Sequence, residues 1–335
     1  MVTRAVSASK MPAYHQAMTD FLTLTLNPAL DLSTTTARLE HTHKMRCGPM
    51  LRHPGGGGIN VARVLHRLNV PVQAWYLSGG VTGTHTGQLL AAEGVALHAL
   101  AIAGTTRENL SVVETRSGHE YRFVLPGPSV SKPEWQDCLA QLATQTPRWL
   151  IASGSLPPGV PDDFYARLIA QTRAHAGHSR IVLDTQGAAL AAALQAGVYL
   201  VKPSLRELRE LTGAALNDTA QWRAAARALV RSGQAEMVAL SAGADGAVLA
   251  TREGVWQATA LPIAASSGTT GAGDCFLAAL LWALDRGDTP GDALRWGVAA
   301  GSAALLAPGT ALAEACEIQR LQRQVVLQTL TDGTD

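Results

Sequence analysis

The strongest chemical signal in this 335-residue chain is a glycine-rich turn followed directly by an acid, the run Gly271-Ala272-Gly273-Asp274. The apolar residues after it predict a helix, whose first turn leaves backbone N–H groups unpaired. The helix dipole adds positive potential there, so the turn can hold phosphate oxygens. Asp274 is then placed to accept a proton from an attacking hydroxyl. Aspartate is also common at helix starts, but the glycines and the motifs below favour the catalytic interpretation.

A second glycine-rich run occupies residues 55–58 and precedes a segment whose apolar residues lie on one helical face. Consecutive glycines carry a large entropic cost unless something must come close to the backbone. One interpretation is that sugar hydroxyls lie against Gly56 and Gly57 and hydrogen-bond to Asn60. The other is a flexible turn with Asn60 as a helix cap.

A third candidate lies at the end of a predicted strand, where Lys202 is followed by Ser204 and Glu207. Ligands of α/β proteins collect at such strand ends. Lys202 can neutralise a phosphate, and Glu207 can hold Mg²⁺ through water. Ser204 and Glu207 also have the spacing of a helix capping box, and both interpretations can hold at once.

Weaker candidates surround these motifs. Polar and glycine residues at other strand ends and turns are candidates for sugar or nucleotide contacts, namely Asp31, Ser155, Ser241, Gly243 and Gly246. Basic residues on polar segments are candidates for phosphate contacts, namely Lys44, Arg46 and Arg107. The guanidinium group offers a fork of donors that matches a phosphate, although ordinary solvated charge is the alternative for all three.

The composition limits the classes of function. Hydrophobic residues make up 47% of the chain and charged residues 16%, so a large core can form. The net charge of +1 gives no support for a nucleic-acid or membrane-surface partner, and the sequence shows no apolar run long enough to span a bilayer. The four cysteines are widely spaced, which argues against a zinc site or a disulfide framework and fits a reducing cytoplasm.

Strands and helices alternate along most of the chain. The predicted buried strands lie at about 21–26, 72–77, 149–152, 181–184, 199–202 and 237–241. This alternation predicts an α/β fold with a central, mainly parallel sheet and helices on both faces. Two polar β segments, about 31–53 and 107–125, do not fit that sheet and predict a small β-sheet lid over one end. Two Ala/Leu-rich helices are predicted after the helix of Asp274, reaching roughly to Leu330.

The sequence predicts two parts of unequal size. Residues 1–20 are expected to be a loose N-terminal extension, and residues 21–330 one domain that includes both lid segments. The extension has basic residues but no continuous apolar stretch, so a signal peptide is not expected.

Together these motifs resemble the ribokinase-like PfkB family of carbohydrate kinases. The resemblance rests on the glycine run with Asn60, on Lys202-Pro203 before a glutamate, and on the turn that ends in Asp274, and it spans about residues 21–310. The runs at residues 26–31 and 107–110 are similar to those of members that act on sugar phosphates. Gly57 favours the 6-phosphofructokinase group, because the 1-phosphofructokinase and tagatose-6-phosphate groups usually have lysine there.

The resemblance implies ATP-dependent phosphorylation of a sugar phosphate, most closely fructose 6-phosphate, with 1-phosphofructokinase or tagatose-6-phosphate kinase as the alternative. It implies Mg²⁺, a ribokinase-like fold and a homodimer formed through the lid. It also assigns roles: Asp274 as the base, Gly271 to Gly273 as the anion hole, Lys202 and Thr269 as ATP contacts, and Asp31, Asn60 and Arg107 as sugar-phosphate contacts.

The chain departs from the family pattern at two places. Ser204 replaces the asparagine of an Asn-x-x-Glu motif tied to Mg²⁺, and Ala307 and Ala311 stand where a relative has asparagine and arginine, so activation by K⁺ stays open. Two remote alternatives remain. A dinucleotide-binding dehydrogenase would need its GxGxxG fingerprint near the start of a βαβ unit, and a non-catalytic sugar-phosphate sensor would not need Asp274.

Overall fold

The computed structural model describes residues 20–175, 178–263, 270–307 and 309–330. Residues 1–19 of the predicted N-terminal extension lie outside the described residues. The strands are β1 Phe21–Thr25, β2 Ala29–Thr36, β3 Leu51–Gly55, β4 Val72–Ser78, β5 Ala96–Ala101, β6 Arg107–Glu114, β7 Glu120–Phe123, β8 Trp149–Ser153, β9 Arg180–Asp184, β10 Val198–Val201, β11 Ala235–Ser241, β12 Ala247–Ala250, β13 Val255–Ala258 and β14 Leu327–Leu330. The helices are α1 Gly57–Arg67, α2 Gly80–Ala92, α3 Lys132–Ala143, α4 Phe164–His175, α5 Gly187–Ala196, α6 Leu205–Thr212, α7 Thr219–Arg231, α8 Ala272–Asp285, α9 Pro290–Ala304 and α10 Ala315–Gln322.

The body of the protein is a ten-stranded sheet in the order β14-β13-β12-β11-β10-β9-β8-β1-β4-β5. The strands from β11 to β5 in this order pair in parallel, and β12, β13 and β14 are added antiparallel at one edge. Every residue of β1 and β8 is buried, as expected for strands covered on both faces. The predicted α/β fold is confirmed.

Two apolar layers hold the helices to this sheet. Successive residues of a strand point to opposite faces. Phe21 therefore belongs to the layer that contains side chains of α1, α8, α9 and α10, whereas Leu22 belongs to the layer that contains side chains of α3, α4, α5 and α7. Helix α8 runs through the first layer and buries most of its side chains there. Its first turn is therefore held firmly at the carboxyl end of the parallel strands. Within the described residues, no helix is both long and apolar enough to cross a membrane.

The small sheet, formed by β2, β3, β6 and β7 in the order β3-β2-β6-β7, lies apart from the body. Strand β2 pairs antiparallel with β3 and parallel with β6, which places Asp31 between His53 and Asn109. Strands β6 and β7 form a hairpin around Gly118. Both polar segments that the sequence set apart from the body therefore join in one sheet.

The carboxyl-terminal part differs from its prediction. The last predicted helix was expected to reach roughly to Leu330, but α10 ends at Gln322 and the chain returns as β14. Strand β14 pairs with β13 and extends the edge of the large sheet. The four residues of β14 are too few to show a strand period, and the neighbouring edge strand decides their conformation. The sequence also did not predict β5. This strand lies at the opposite edge of the large sheet, where its conformation likewise depends on its single neighbour, β4.

Candidate active site

The glycine-rich turn begins α8 as predicted. Gly271 is the N-cap and has a φ of 80°, in the left-handed region that glycine adopts without strain. A β-carbon at Gly271 would also collide with the side chain of Leu312. Ala272, Gly273 and Asp274 follow in the first helical turn, where backbone N–H groups have no partner inside the helix. This turn is a ready place for negatively charged oxygens.

Asp274 is partly buried, and its carboxylate meets α1 from the opposite side of the site. Asn60 Nδ2 donates a hydrogen bond to Asp274 Oδ2 at 2.8 Å. Burial, with a contribution from the neighbouring Asp184, raises the pKa of Asp274 to about 7, although the bond from Asn60 and the charge of Lys202 oppose the rise. A carboxylate with a pKa near neutrality is well matched to accept a proton at physiological pH.

A buried ion pair lies beside Asp274. Lys202 Nζ is 3.0 Å from Asp184 Oδ1, and Ser153 Oγ donates to Asp184 Oδ2 at 3.2 Å. Burial tends to lower the pKa of Lys202, but the nearby carboxylates outweigh burial and hold that pKa above its ordinary value. Lys202 is therefore a fixed positive charge. Gly57 packs so closely on Ser153 that a β-carbon there would collide with its hydroxyl.

A polar cavity of about 240 Å³ opens between the small sheet, α1 and the start of α8. Two of the four glycines of the second run, Gly56 and Gly57, border it together with Asn60. The small sheet lines one side of the cavity with charged and amide side chains, and the α8 turn with Asp274 lines the opposite side. The lining residues include Asp31, Arg107, Asn109, Ser111, Arg122, Thr270, Gly271, Asp274 and Thr310.

Arg107 is held in place at the rim of this polar cavity. It donates to the carbonyl oxygens of Asn27 at 3.0 Å and Leu125 at 2.9 Å. Burial lowers the pKa of Arg107, with Asp31 opposing, but the guanidinium remains charged. Ser155 does not border the cavity; its hydroxyl accepts a hydrogen bond from Asn27 Nδ2 at 3.1 Å and so supports the residue that holds Arg107.

Asp31 shares the polar cavity with these cations. Asn109 Nδ2 donates to Asp31 Oδ1 at 2.9 Å, across the parallel pair β2–β6. Burial raises the pKa of Asp31, whereas Asn109 and the guanidinium groups of Arg122 and Arg107 lower it in part. The cavity thus presents one carboxylate and two cations on the same sheet.

A larger cavity of about 510 Å³ lies on the other side of the α8 turn. Apolar side chains of α8 and α9 form much of its wall, among them Phe276, Val298 and Leu305. Ala272 and Gly273 border this apolar cavity, whereas Gly271 and Asp274 border the polar one. Four residues that the sequence singled out for nucleotide or metal contacts also border it: Ser204, Ser241, Gly243 and Gly246.

The sequence of most of the chain, residues 25–316, matches the family model described as pfkB family carbohydrate kinase. The chain belongs to the pfkB family of carbohydrate kinases. An ATP-dependent 6-phosphofructokinase isozyme 2 from Mycobacterium tuberculosis is 42% identical over 310 residues, which cover 92% of this chain and 90% of the relative. The isozyme 2 of Escherichia coli is 38% identical over 306 residues, covering 91% and 98%, and a 1-phosphofructokinase of Xanthomonas campestris is 37% identical over 270 residues, covering 78% and 83%.

Solved structures show the same fold. Phosphofructokinase-2 from Escherichia coli in complex with potassium superposes with a TM-score of 0.86 at 37% identity, covering 92% of this kinase and 99% of that chain. The complex of the same protein with fructose-6-phosphate gives a TM-score of 0.84, and a tetrameric inhibited form of it gives 0.85, both at 36% identity. The ribokinase-like fold expected from the sequence is confirmed.

The structure also shows what Ser204 does in this kinase. It caps α6, where Ser204 Oγ accepts from the Glu207 N–H at 3.2 Å and Glu207 Oε2 accepts from the Ser204 N–H at 2.8 Å. The predicted capping box is confirmed. A metal role for the two residues stays a prediction.

The family implies Mg²⁺, and the residues present fit this ion. No group of three or more His, Cys, Asp or Glu side chains in the described part of the chain forms a metal cage. However, three carboxyl groups, those of Asp184, Asp274 and Glu207, lie near the single ammonium group of Lys202, so acidic groups are in excess. An excess of carboxylate charge suits Mg²⁺, which keeps several waters and uses phosphate oxygens as ligands.

The structure brings most, but not all, of the predicted site residues together. Lys44 and Arg46 lie on the exposed stretch between β2 and β3, outside the polar cavity, so their substrate role stays a prediction. Thr269 lies outside the described residues. The sequence analysis missed Asp184, although the signal was present, because it ends a buried strand just as Lys202 follows one. It also missed Arg122, which lies in a strand with exposed neighbours.

Proposed function

We propose that this kinase transfers the γ-phosphoryl group of ATP to the 1-hydroxyl of fructose 6-phosphate and forms fructose 1,6-bisphosphate. The observation that carries the proposal is the pair of cavities on opposite sides of one helical turn, a polar cavity with two arginines and an apolar one. The relatives named 6-phosphofructokinase at 38% and 42% identity support this choice of substrate.

The sugar phosphate binds in the polar cavity. Arg107 and Arg122 carry two positive charges on the small sheet, and forks of N–H donors bind phosphate oxygens in pairs. Asp31 accepts hydrogen bonds from sugar hydroxyls, and Asn60 donates to them. Gly56 and Gly57 allow the sugar to lie against the backbone. A sugar held in this way has its phosphate on the sheet and its free hydroxyl near Asp274.

ATP binds in the apolar cavity. The base lies between the glycines near Ser241 and the wall formed by Phe276 and Val298, and stacking on apolar side chains needs few polar contacts. The phosphate chain then runs towards the N–H groups of Ala272 and Gly273. Lys202, whose Nζ lies near Gly273, supplies positive charge for the transferring group.

Asp274 accepts the proton of the attacking hydroxyl. Asn60 holds its carboxylate, and the turn N–H groups and Lys202 stabilise the negative charge that develops during transfer. Asp184 keeps Lys202 in position and charged. Bound Mg²⁺ would be held through water by Asp184 and Glu207, and it would neutralise the charge of the ATP phosphates.

The small sheet also supports a homodimer. The sheet and the loops next to it expose large apolar side chains, namely Met45, Met50, Leu51, Tyr121, Phe123, Val124 and Leu125, of which Phe123 and Val124 also border the polar cavity. Exposed apolar residues concentrated on one small sheet favour an interaction surface there. We propose that two small sheets pack against each other, which also places the exposed Lys44 and Arg46 next to a second chain. Sedimentation of the wild type and of Tyr121→Glu, whose side chain is exposed and does not border the polar cavity, tests this arrangement.

The proposal is tested by coupled ADP release with a panel of sugars at low and saturating concentration. Fructose 6-phosphate is expected to give the highest kcat/KM, ahead of fructose 1-phosphate, tagatose 6-phosphate and fructose. A preference for fructose 1-phosphate would instead establish the 1-phosphofructokinase alternative, which a relative at 37% identity represents. Repeating the assay with Na⁺ in place of K⁺ tests potassium activation.

The cysteines of the described chain are all free, which supports a cytoplasmic location.

A further inference from the structure

Residues 309–314, called the strap below, connect the small sheet with the start of α8. At one end, His53 Nδ1 of β3 and Thr310 Oγ1 are 2.8 Å apart, and Thr310 borders the polar cavity. At the other end, Leu312 packs directly on Gly271, and the N–H of Ala313 donates to the sulfur of Cys275 at 3.5 Å. The strap therefore lies against the turn that carries Asp274.

Arg67, in the last turn of α1, holds this strap. Its Nη1 donates to the carbonyl oxygen of Leu312 at 2.7 Å and to that of Ala313 at 3.3 Å. The same nitrogen lies 3.1 Å from Glu314 Oε1. Leu312 and Ala313 are 1% and 0% exposed, so water does not readily replace the guanidinium group at their carbonyls.

Glu93, at the end of α2, fixes Arg67 from behind. It lies 3.8 Å from Arg67 Nη2 and binds the buried guanidinium group of Arg63 through both carboxylate oxygens. Arg63 donates in turn to the carbonyl oxygen of Pro54, which precedes the glycine run. One ionic network thus connects the strap with α1, α2 and the glycines that border the polar cavity.

We propose that Arg67 is a positioning residue for phosphoryl transfer, which acts through Leu312 on the turn at Gly271. This inference rests on the role proposed above for that turn. Leu312 fills the space beside Gly271 where any other residue would place a side chain, so the position of Leu312 sets the position of the turn. Stabilising a transition state requires the N–H groups and Asp274 to be in place beforehand. Arg67 supplies this order without contacting either cavity.

The decisive variant is Arg67→Met, which keeps the length of the side chain and removes its donors. We expect kcat to fall about tenfold, because a misplacement of about 1 Å at reacting groups can cost about 10²-fold. The KM values for fructose 6-phosphate and ATP should change less than about twofold, since neither cavity loses a lining side chain. Arg67→Lys keeps one cationic donor and should recover part of the loss.

The route through Leu312 is tested by a double-mutant cycle. Leu312→Val alone should lower kcat, and the variant Arg67→Met with Leu312→Val should lose less than the product of the two single effects. Arg320→Met serves as the matched control, because Arg320 forms only a surface pair with Glu317 on α10 and should leave kcat unchanged.

The outcomes separate this inference from the proposed site. Loss of activity in Asp274→Asn with a normal kcat in Arg67→Met would overturn the role of Arg67 and leave the site intact. Multiplicative effects in the cycle, or a lower melting temperature of Arg67→Met without a change in kcat, would likewise reduce Arg67 to a structural residue. Full activity of Asp274→Asn would overturn the site itself, and with it this inference.

Discussion

The two cavities beside the α8 turn differ in almost every property that decides what they bind. The polar cavity, of about 240 Å³, gathers Arg107, Arg122 and Asp31 from a small sheet that has little core of its own. The apolar cavity, of about 510 Å³, lies between helices α8 and α9 of the main core and the turns near Ser241 and Leu261. In the function proposed above, specificity for the sugar phosphate comes from charges on a thin sheet, whereas the nucleotide is bound mainly by shape. The turn at the start of α8 borders both cavities.

The largest effect is expected at the α8 turn, which lies between the two cavities. Asp274→Asn should lower kcat by at least about 10²-fold, because it removes the proton acceptor. The fold should be retained, since asparagine can still accept the hydrogen bond from Asn60. Steady-state kinetics with circular dichroism check this, and near wild-type turnover would rule out Asp274 as the base.

The pH dependence provides the control for the same residue. Burial raises the pKa of Asp274 to about 7, so the carboxyl group is protonated and inactive as a base below that pH. The kcat/KM of the wild type should therefore fall as the pH decreases through about 7, and the residual activity of Asp274→Asn should lack this step. The raised pKa also means that the native state binds this proton more tightly than the unfolded state does. Any stability contributed by that proton is lost as the pH rises through about 7.

The next largest effect is expected in the polar cavity, where Arg107 supplies positive charge. Arg107→Ala should raise the KM for the sugar phosphate by about 10-fold to 10²-fold, the scale of a lost hydrogen bond to a charged group. The KM for ATP should stay the same, because Arg107 borders only the polar cavity. Equal rises in both constants would show that the two cavities are not independent. Arg209→Ala, on the exposed side of α6, is a matched control for loss of an arginine.

A smaller effect is expected from the apolar side. Phe276→Leu removes an aromatic wall of the larger cavity while keeping an apolar side chain in the core. The KM for ATP should rise about threefold to tenfold, in line with an aromatic contact of about 1 kcal/mol. The KM for the sugar phosphate should not change. A rise in that constant instead would mean that Phe276 acts by shifting the α8 turn.

The smallest effect concerns the proposed metal role of Ser204 and Glu207. Ser204→Asn preserves a good helix cap and places a carbonyl oxygen one bond further out, so the Mg²⁺ concentration for half-maximal rate should fall about twofold. Glu207→Gln, which removes a carboxylate charge, should raise it. Titration of the three proteins with Mg²⁺ at fixed ATP compares them. An unchanged curve for Ser204→Asn beside a shifted one for Glu207→Gln would leave Ser204 as a cap alone.

The sequence predicts the parts of this site that depend on local chemistry. The turn at Asp274, the glycine run and the strand end at Lys202 are recognisable because their spacing is fixed within a few residues. Asp184, Arg122 and Thr310 are not, because they reach the site only through the arrangement of distant strands and the strap. The same distinction holds for the fold. The strands of the parallel body were predictable from their own pattern, whereas β5 and β14 were not. Edge strands take their conformation from a neighbour rather than from their own period.

The pairing of β2 with β6 has a consequence for how the kinase folds. It joins residues such as Asp31 and Asn109 that are 78 positions apart, and it closes a loop that contains α1, one of the helices of the first layer. Contacts of such sequence separation are formed late, because the loop-closure entropy must be overcome first. The small sheet is therefore expected to be completed after the local units of the body. During refolding the burial of Trp135 and Trp222, which contact Phe164 and Leu216 close in sequence, should precede the return of activity. Simultaneous recovery of tryptophan fluorescence and turnover would show instead that the small sheet belongs to the folding nucleus.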